Sequence, residues 1–500
     1  MPSVRAFRAS ALHYAFGRLL NAALSLSIFV ALARWLPAAD YAAYVVAVAL
    51  MEILLVAANL GMDWVTAIEI PKLAQRAPTG VLAGFIRRCV GVQALALVLV
   101  AVLLAAVAGV VAPLLGQPLL DGLLGWSAAL LCVEGLSRVL RDQVLSSLLL
   151  QWASQAAQTL RNLAMLAALA LLAVSGGLHV RQVVQAELAA SAGSLLLGAA
   201  LLLRELRRRA RQDGPSVPSA PVVAPSLWSL RALAANAWIA SLASLLWGGQ
   251  MIVLIVSRTL GAEGAGLVGF GRNLAEQVRK LMPLEFLFNL VRTFLVTRHD
   301  TERDAQRLLA RIALFVKANL LFVLPVLLCA VLYGAEIAGL ASGGRYREAH
   351  WIVVGWLCWV VVWSHHRLAE ALAHLLGRSA EIGRSSLALA AMPLAYLMLL
   401  PMGGLPALFV LLVLTELAYI AVVIGRSAGA LGYPWRALAL PKVIGGFLLA
   451  WLVALALHEG WPSLPALAGV LLAVMLFAVA MLGLRPLSAH ERRWLVGDSA

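Results

Sequence analysis

Long apolar runs recur along the whole chain and are separated by short polar gaps. Most runs reach roughly 20 residues, the length that an α-helix needs to cross the hydrocarbon core of a bilayer. The pattern predicts about fourteen membrane spans, and a count of twelve stays open because the weak runs between 385 and 425 are hard to divide. The predicted spans are 14–35, 42–66, 88–112, 122–149, 153–175, 183–203, 231–256, 266–295, 311–333, 351–375, 385–401, 405–425, 442–458 and 463–484.

The longest polar stretch runs from Arg204 to Leu230 and leaves six predicted spans before it and eight after it. Its arginine cluster leads into GPSVPSAPVVAPS, a composition typical of an extended linker. We therefore predict an all-α polytopic membrane protein with two six-helix lobes and an appended C-terminal helix pair. The predicted domains are an N-lobe (1–203), a cytoplasmic linker (204–230), a C-lobe (231–425), and the C-terminal pair with its tail (426–500).

Composition supports the membrane class and excludes a soluble globular domain. The chain is 62% hydrophobic and only 13% charged, whereas a soluble domain has roughly 45–50% apolar and about 25% charged residues. The net charge of +15 comes from Lys and Arg in alternate loops, a distribution that orients membrane helices with their basic loops in the cytoplasm. Both termini are therefore expected in the cytoplasm. The first apolar run ends at Arg34 and Trp35 without a small-residue cleavage site, so it is expected to be retained.

One segment near the first predicted turn has an echo in the second half of the chain. RWLPAADYAAY begins at Arg34, and RTLGAEGAGLV begins at Arg258. The echo indicates two related halves.

These segments resemble the polysaccharide-export branch of the multidrug, oligosaccharidyl-lipid and polysaccharide exporter superfamily, the lipid-linked oligosaccharide flippases. The resemblance rests on Leu32 to Tyr41, Asn59 to Met62, Ser257 to Gly266, Leu332 to Glu336 and Tyr346 to Ala349. It implies two six-helix lobes that form a V around a central cavity with alternating access. Ala42, Asn59 and Gln250 differ from the residues usual in the family, which weakens any transfer of its ion-coupling residues.

Charged residues inside predicted spans are candidates for function because charge is costly in a bilayer. The substrate-binding candidates are Arg138, Arg141, Arg272, Arg279 and Lys280; the ion-coupling or salt-bridge candidates are Glu134, Glu276, Asp63 and Glu370.

Two interpretations of these charges stay open. In one, Glu134 pairs with Arg138, and Glu276 pairs with Arg272 or Lys280, so that the charges only pack the lobes. In the other, the surplus bases bind an anionic head group, for which Arg is suited.

Weaker predictions concern the other charged and titratable residues inside the predicted spans. Arg161, Glu187, Lys317 and Glu416 read as isolated charges in their spans, and His366 and His374 are expected near the cytoplasmic end of theirs rather than as proton relays. The sequence contains no phosphate-binding glycine loop, so no ATPase, cofactor, metal or catalytic residue is predicted.

The favoured hypothesis is a flippase, not an enzyme, in the bacterial inner membrane. It would move an undecaprenyl-pyrophosphate-linked oligosaccharide outward for exopolysaccharide or O-antigen assembly. Its expected partners are that substrate, membrane lipids and a polysaccharide polymerase with chain-length machinery, without nucleic acid. The alternatives are a cation-coupled multidrug exporter of the same superfamily and, less favoured, a membrane polymerase or glycosyltransferase, which would need a larger outer loop than 334–350.

Overall fold

The computed structural model describes residues 4–213, 223–283, 285, 305–429, 432–461, 463–489 and 491–492, and in these ranges it contains helices and no strand. A π-helical segment (Val139–Leu145) follows α6 directly. The helices are α1 (Val4–Trp35), α2 (Ala38–Asn59), α3 (Met62–Arg76), α4 (Thr79–Ala106), α5 (Ala108–Leu114), α6 (Leu124–Arg138), α7 (Gln151–Val174), α8 (Val180–Gln212), α9 (Arg231–Trp247), α10 (Gly249–Leu281), α11 (Ala305–Ser342), α12 (His350–Leu375), α13 (Ser379–Ala388), α14 (Met392–Ala428), α15 (Leu440–Gly460) and α16 (Ala466–Leu484).

The helices confirm the all-α, multi-pass membrane class. Within the described residues, eleven helical segments are long and apolar enough to cross a bilayer. This number is smaller than the predicted fourteen, and the exact span count stays a prediction.

The chain forms two compact units by its internal contacts. Unit 1 comprises residues 1–269 with 389–393, and unit 2 comprises 270–388 with 394–500. The predicted linker begins inside a helix, because α8 continues through the arginine cluster to Gln212. Residues 214–222 of that linker lie outside the described residues. The predicted domain boundaries are not tested by these observations and stay a prediction.

The end of α8 is tied to the start of α4 within unit 1. The Asp213 carboxylate accepts a hydrogen bond of 2.8 Å from the backbone N–H of Thr79. This backbone hydrogen bond holds the pKa of Asp213 below its ordinary value.

Helix breaks fall where the backbone takes left-handed conformations. Leu60 and Gly61 have φ of 53° and 69°, and a Cβ on Gly61 would lie 2.0 Å from the carbonyl oxygen of Ala234. A glycine is therefore required there, and the second span ends at Asn59. The prediction that Asp63 lies inside this span is wrong, since Asp63 occupies the first turn of α3, where the helix dipole favours an acid.

The two echoed segments both lie at breaks between helical pieces. Leu36 and Pro37 separate α1 from α2, and α10 is interrupted at Gly261, whose φ is 69° and ψ is −160°. The echo thus marks corresponding turns in the two halves of the sequence.

The C-terminal helices α15 and α16 pack on α11 in unit 2. Their shared core includes Leu328, Tyr333, Ala454 and Phe477. Gly469 is in contact with the Tyr333 ring, and a Cβ there would lie 2.2 Å from the Tyr333 hydroxyl oxygen. A small residue at this position lets α16 approach α11 closely, as is common between membrane helices.

The segment after α16 returns to α11 through a buried lysine. Lys317, with a side chain only 2% exposed, donates to both carboxylate oxygens of Glu491 at 2.8 and 2.9 Å and to the carbonyl of Pro486 at 3.0 Å. Lys317 is therefore paired, not isolated as its sequence context suggests.

The Glu491 carboxylate also accepts the backbone N–H of Ser488 at 2.7 Å. Burial raises the pKa of Glu491, but the hydrogen bonds from Lys317 and Ser488 outweigh it, and the pKa lies below its ordinary value. The stabilisation is thus complete above the pKa of an unfolded glutamate and is lost as pH falls through the folded-state pKa.

We predict that Glu491→Leu lowers the stability of the purified protein by about 3–5 kcal/mol, because Lys317 becomes an unpaired buried charge. Thermal unfolding in detergent measures this, with Glu459→Gln, a change at an exposed glutamate, as the control. The double variant Lys317→Met with Glu491→Leu should regain most of the loss. Equal stability of Glu491→Leu and the parent would contradict the pairing.

Candidate functional site

A buried carboxylate in unit 1, that of Glu134, is surrounded by arginines. Glu134 is 2% exposed. It accepts hydrogen bonds from Arg138 at 2.8 Å, Arg161 at 3.0 Å and the Ser191 hydroxyl at 2.8 Å, and an Arg141 nitrogen lies 3.6 Å away. The helical spacing predicted that Glu134, Arg138 and Arg141 share one face, and the structure brings them together across the start of the π-helical segment.

Two further glutamates complete this cluster. Arg138 donates to both carboxylate oxygens of Glu52 at 2.8 and 3.1 Å. Arg161 donates to Glu187 at 2.5 Å, and the Tyr44 hydroxyl donates to the same side chain at 3.1 Å. We name the six residues Glu52, Glu134, Glu187, Arg138, Arg141 and Arg161 the charge cluster; its three acids balance its three bases.

The charge cluster changes the interpretation of the fourth span. The sequence count gave five bases against three acids over the fourth and eighth predicted spans together, and it included only residues of those two spans. Glu52 comes from α2 and was not considered, and Arg161 and Glu187, from α7 and α8, were taken as isolated. Asp142 is the other acid of the fourth predicted span. Its side chain is 59% exposed and contacts Arg141 at 3.4 Å.

A cavity of about 150 Å³ with a mixed polar and apolar lining lies beside the charge cluster in unit 1. Its lining includes Glu52, Arg138 and three amide side chains, those of Asn59, Gln93 and Gln143. Gln93 and Gln143 donate to each other at 2.9 and 3.0 Å, and Gln143 also donates to Asn59 at 3.4 Å. We name these three residues the amide group.

The basic candidates of unit 2 lie at the end of α10. Arg279 forms a short salt bridge with Glu276, which corrects the expectation that Glu276 pairs with Arg272 or Lys280. Lys280 donates to Gln277 at 3.4 Å. Arg272 also lies close enough to act on the Glu276 charge, so three bases surround this one acid.

An indole ring joins this basic group to α12. The guanidinium of Arg279 lies 4.3 Å from the centre of the Trp363 ring, and that of Arg367 lies 5.5 Å from it. Arg367 also contacts Glu285 at 3.5 Å. Among the described residues, this part of unit 2 contains four bases and two acids, namely Arg272, Arg279, Lys280 and Arg367 with Glu276 and Glu285.

Glu370 takes part in a second buried group of unit 2. The two ring nitrogens of His366 lie 2.6 Å from Glu416 and 3.1 Å from Glu370. Trp359 donates to Glu416 and Tyr419 to Glu370, each at 3.2 Å, and the Tyr419 ring stacks on His366. We name His366, Glu370 and Glu416 the histidine triad.

The histidine triad was not expected from the sequence. His366 lies more than two helical turns before the end of α12, whereas sequence reasoning put it near the cytoplasmic end, and Glu416 is far along the chain on α14. When both carboxylates are ionised, a protonated His366 balances one of them, and Arg367 also lies close enough to act on the Glu370 charge.

We predict that Glu134→Gln destabilises the protein by about 3–5 kcal/mol, since three arginines, of which Arg141 and Arg161 are largely buried, then share two acids. Asp142→Asn, which removes an exposed acid about two helical turns further on, is the control and should stay near the parent. Membrane abundance and thermal unfolding of the two variants measure the difference. Parent-like stability of Glu134→Gln would show that the charge cluster is not structural.

Three comparisons place this fold among known proteins. No protein-family model and no curated protein sequence matches the chain. A lipid II flippase, MurJ, in an inward closed conformation matches with a TM-score of 0.65 at 11% identity, over 94% of this chain and 98% of that chain.

Two further solved structures match over slightly less of the chain. An inward-facing multidrug resistance transporter of the MATE family has a TM-score of 0.54 at 13% identity, over 86% of this chain and 99% of that chain. A transporter of the MOP superfamily from Pyrococcus furiosus has a TM-score of 0.53 at 13% identity, over 84% and 94%. The chain has the fold that is shared by these flippases and transporters of the MOP superfamily.

Proposed function

We propose that this protein is a flippase for a lipid-linked oligosaccharide in the bacterial inner membrane. It moves an undecaprenyl-pyrophosphate-linked oligosaccharide from the cytoplasmic to the periplasmic leaflet, for exopolysaccharide or O-antigen assembly. A polysaccharide polymerase with its chain-length machinery then receives the product. No bond is made or broken in this step.

The single observation that carries the proposal is the fold match to a lipid II flippase over 94% of this chain. The short sequence segments shared with the polysaccharide-export branch support it independently. An inside-negative membrane potential favours the direction, because outward movement of one negative charge is worth about 2.3 kcal/mol per 100 mV.

Fourteen spans fit the helices once interrupted spans are counted. The eleven segments omit α6 with its π-helical continuation and omit α9, which ends at Trp247 just before α10. They also count Ala380–Ala428 once, although the chain is interrupted between α13 and α14 and has a non-helical residue at Gly404. Adding these three gives fourteen, with both termini in the cytoplasm by the distribution of basic loops.

We assign the pyrophosphate to the basic group of unit 2, namely Arg272, Arg279 and Lys280. All three bases lie around Glu276 at the end of α10, and a diphosphate needs several cationic donors when it leaves water. Arg138 and Arg141, the candidates in unit 1, are held in the balanced charge cluster and stabilise the fold instead.

We assign ion coupling to the histidine triad. Glu370 was a candidate for this role, and the contacts with His366 and Glu416 make it part of a buried group whose net charge one proton can change. Arg367, His374 and Tyr419 are the other titratable side chains around Glu370. Asp63, in the first turn of α3, is not assigned a coupling role.

A cation-coupled multidrug exporter is the second candidate function. The fold match to the MATE transporter favours it, and so does the histidine triad, since such exporters need titratable acids. The basic excess around Glu276 favours an anionic substrate over a cationic drug.

We predict that deletion of the gene abolishes surface or secreted polysaccharide while lipid-linked repeat units accumulate on the cytoplasmic side. Protease-free spheroplasts labelled with a membrane-impermeant sugar-oxidising probe show which leaflet contains the lipid-linked repeat units. Repeat units that are exposed but not polymerised would indicate a polymerase, and unchanged polysaccharide with drug sensitivity would indicate a multidrug exporter.

We predict that Arg272→Ala lowers export about tenfold or more, since one lost charged hydrogen bond costs about 1.5–3 kcal/mol. Membrane abundance should stay near that of the parent, and Arg378→Ala, at an exposed arginine of unit 2, should export normally.

A double variant separates binding from packing at the Arg279–Glu276 pair. Arg279→Ala alone strands Glu276, so abundance falls, and adding Glu276→Ala should restore abundance. Export that stays low in the double variant supports the anion site. Recovery of both abundance and export would show that the pair only packs the protein.

A further inference from the structure

The cavity beside the charge cluster has hydrogen-bonding capacity that the protein itself does not use. Asn59 accepts from Gln143, but its own Nδ2 donates no hydrogen bond among the described residues. Gln93, itself only 1% exposed, uses its Nε2 for Gln143, which occupies one of the two N–H groups. At least three amide N–H groups therefore stay available at the wall of the cavity.

The charge balance next to the cavity disfavours a charged occupant. Glu52 and Arg138, the two charged residues in the lining, bind each other through two hydrogen bonds. An ion in the cavity would have to break this partly buried pair and leave one of its members unpaired. The free-energy cost of binding an ion would therefore exceed the cost of binding a neutral ligand. A neutral, hydrogen-bonding group fits better.

The volume and the lining of the cavity indicate which class of neutral group it can bind. A volume of about 150 Å³ holds one six-membered ring. The lining combines the amide group with the apolar side chains of Leu55, Leu97 and Val139. A sugar ring has the matching combination, because its hydroxyls donate and accept as amides do and its C–H face is apolar.

The backbone supplies a separate indication of a binding site. Gln143 and Val139 belong to the π-helical segment Val139–Leu145, and π-helical turns are frequent at functional sites. The π-helical segment changes the helical register after Arg138. One face of the segment then places Arg141 in the charge cluster, and another face places Gln143 within hydrogen-bonding distance of Gln93.

We infer that Asn59, Gln93 and Gln143 form a subsite for one neutral sugar residue of the transported lipid. This inference rests on the proposed flippase function and names the part of the substrate that unit 1 recognises.

The test is direct binding to the purified full-length protein in detergent, measured with two kinds of lipid. One is undecaprenyl pyrophosphate, and the other carries a single glucose, galactose or N-acetylglucosamine on that pyrophosphate. The parent should bind at least one sugar-bearing lipid more tightly than the sugar-free lipid.

The first variant is Gln93→Leu with Gln143→Leu, which removes both members of the reciprocal pair and strands neither. It should lose about tenfold in affinity for that sugar-bearing lipid, the effect of one or two lost hydrogen bonds, and keep its affinity for the sugar-free lipid. Asn59→Ala, which alters neither glutamine, should lose affinity in the same selective way. Gln158→Leu is the matched control, because Gln158 is a partly buried glutamine of α7 that donates to Asn162 and does not line the cavity.

Each result decides between the subsite and its alternatives. The inference is wrong if none of the three sugars raises the affinity of the parent above its affinity for the sugar-free lipid. It is also wrong if the variants bind all lipids with the affinity of the parent. Either result would mean that the cavity holds only water. An equal loss for both kinds of lipid in Asn59→Ala would also refute it. A parent that binds neither kind of lipid would refute the proposed function itself, and the subsite with it.

Discussion

Neutralisation of the buried Glu134 carboxylate is the constraint on which the packing of unit 1 depends. Its arginine partners come from α6, the π-helical segment and α7, and two of them continue to Glu52 on α2 and Glu187 on α8. Separating any of these elements would leave a charge without its partner in an apolar surrounding. The cluster therefore fixes how four helices and the π-helical segment meet, and it sets the place of Gln143 beside the cavity.

The two units use their charges differently. In unit 1 the charge cluster is balanced and built into the helix packing. Among the described residues of unit 2, three bases surround Glu276, one of them, Arg279, lies over the Trp363 ring, and His366 joins the carboxylates of Glu370 and Glu416 in a separate buried group.

Hydropathy predicted the helical class well because each membrane helix must be apolar over its own length. The same reasoning identified Glu134 with Arg138 as a pair, since residues four apart on a helix are neighbours. It failed where a partner comes from a distant part of the chain. Glu52 next to Arg138, Glu491 next to Lys317 and Glu416 next to His366 are each separated from their partner by at least fifty residues, and no local pattern indicates them.

The sequence by itself determined that this is an all-α membrane protein, and it located several of the turns, because apolar length, proline and glycine act locally. Pro37 and Gly261 mark breaks that fall between predicted spans, whereas the break at Gly61 lies inside the predicted span 42–66 and came only from the structure. Only the tertiary structure decided which charges cancel. The arginines of the fourth span, read from the sequence as candidates for an anion site, are matched by acids once α2 and α8 bring Glu52 and Glu187 to the charge cluster, and Arg279 rather than Arg272 or Lys280 forms the salt bridge with Glu276. The reason is physical: the energy of a buried charge depends on every neighbour within a few ångströms, and those neighbours are set by helix packing rather than by sequence order.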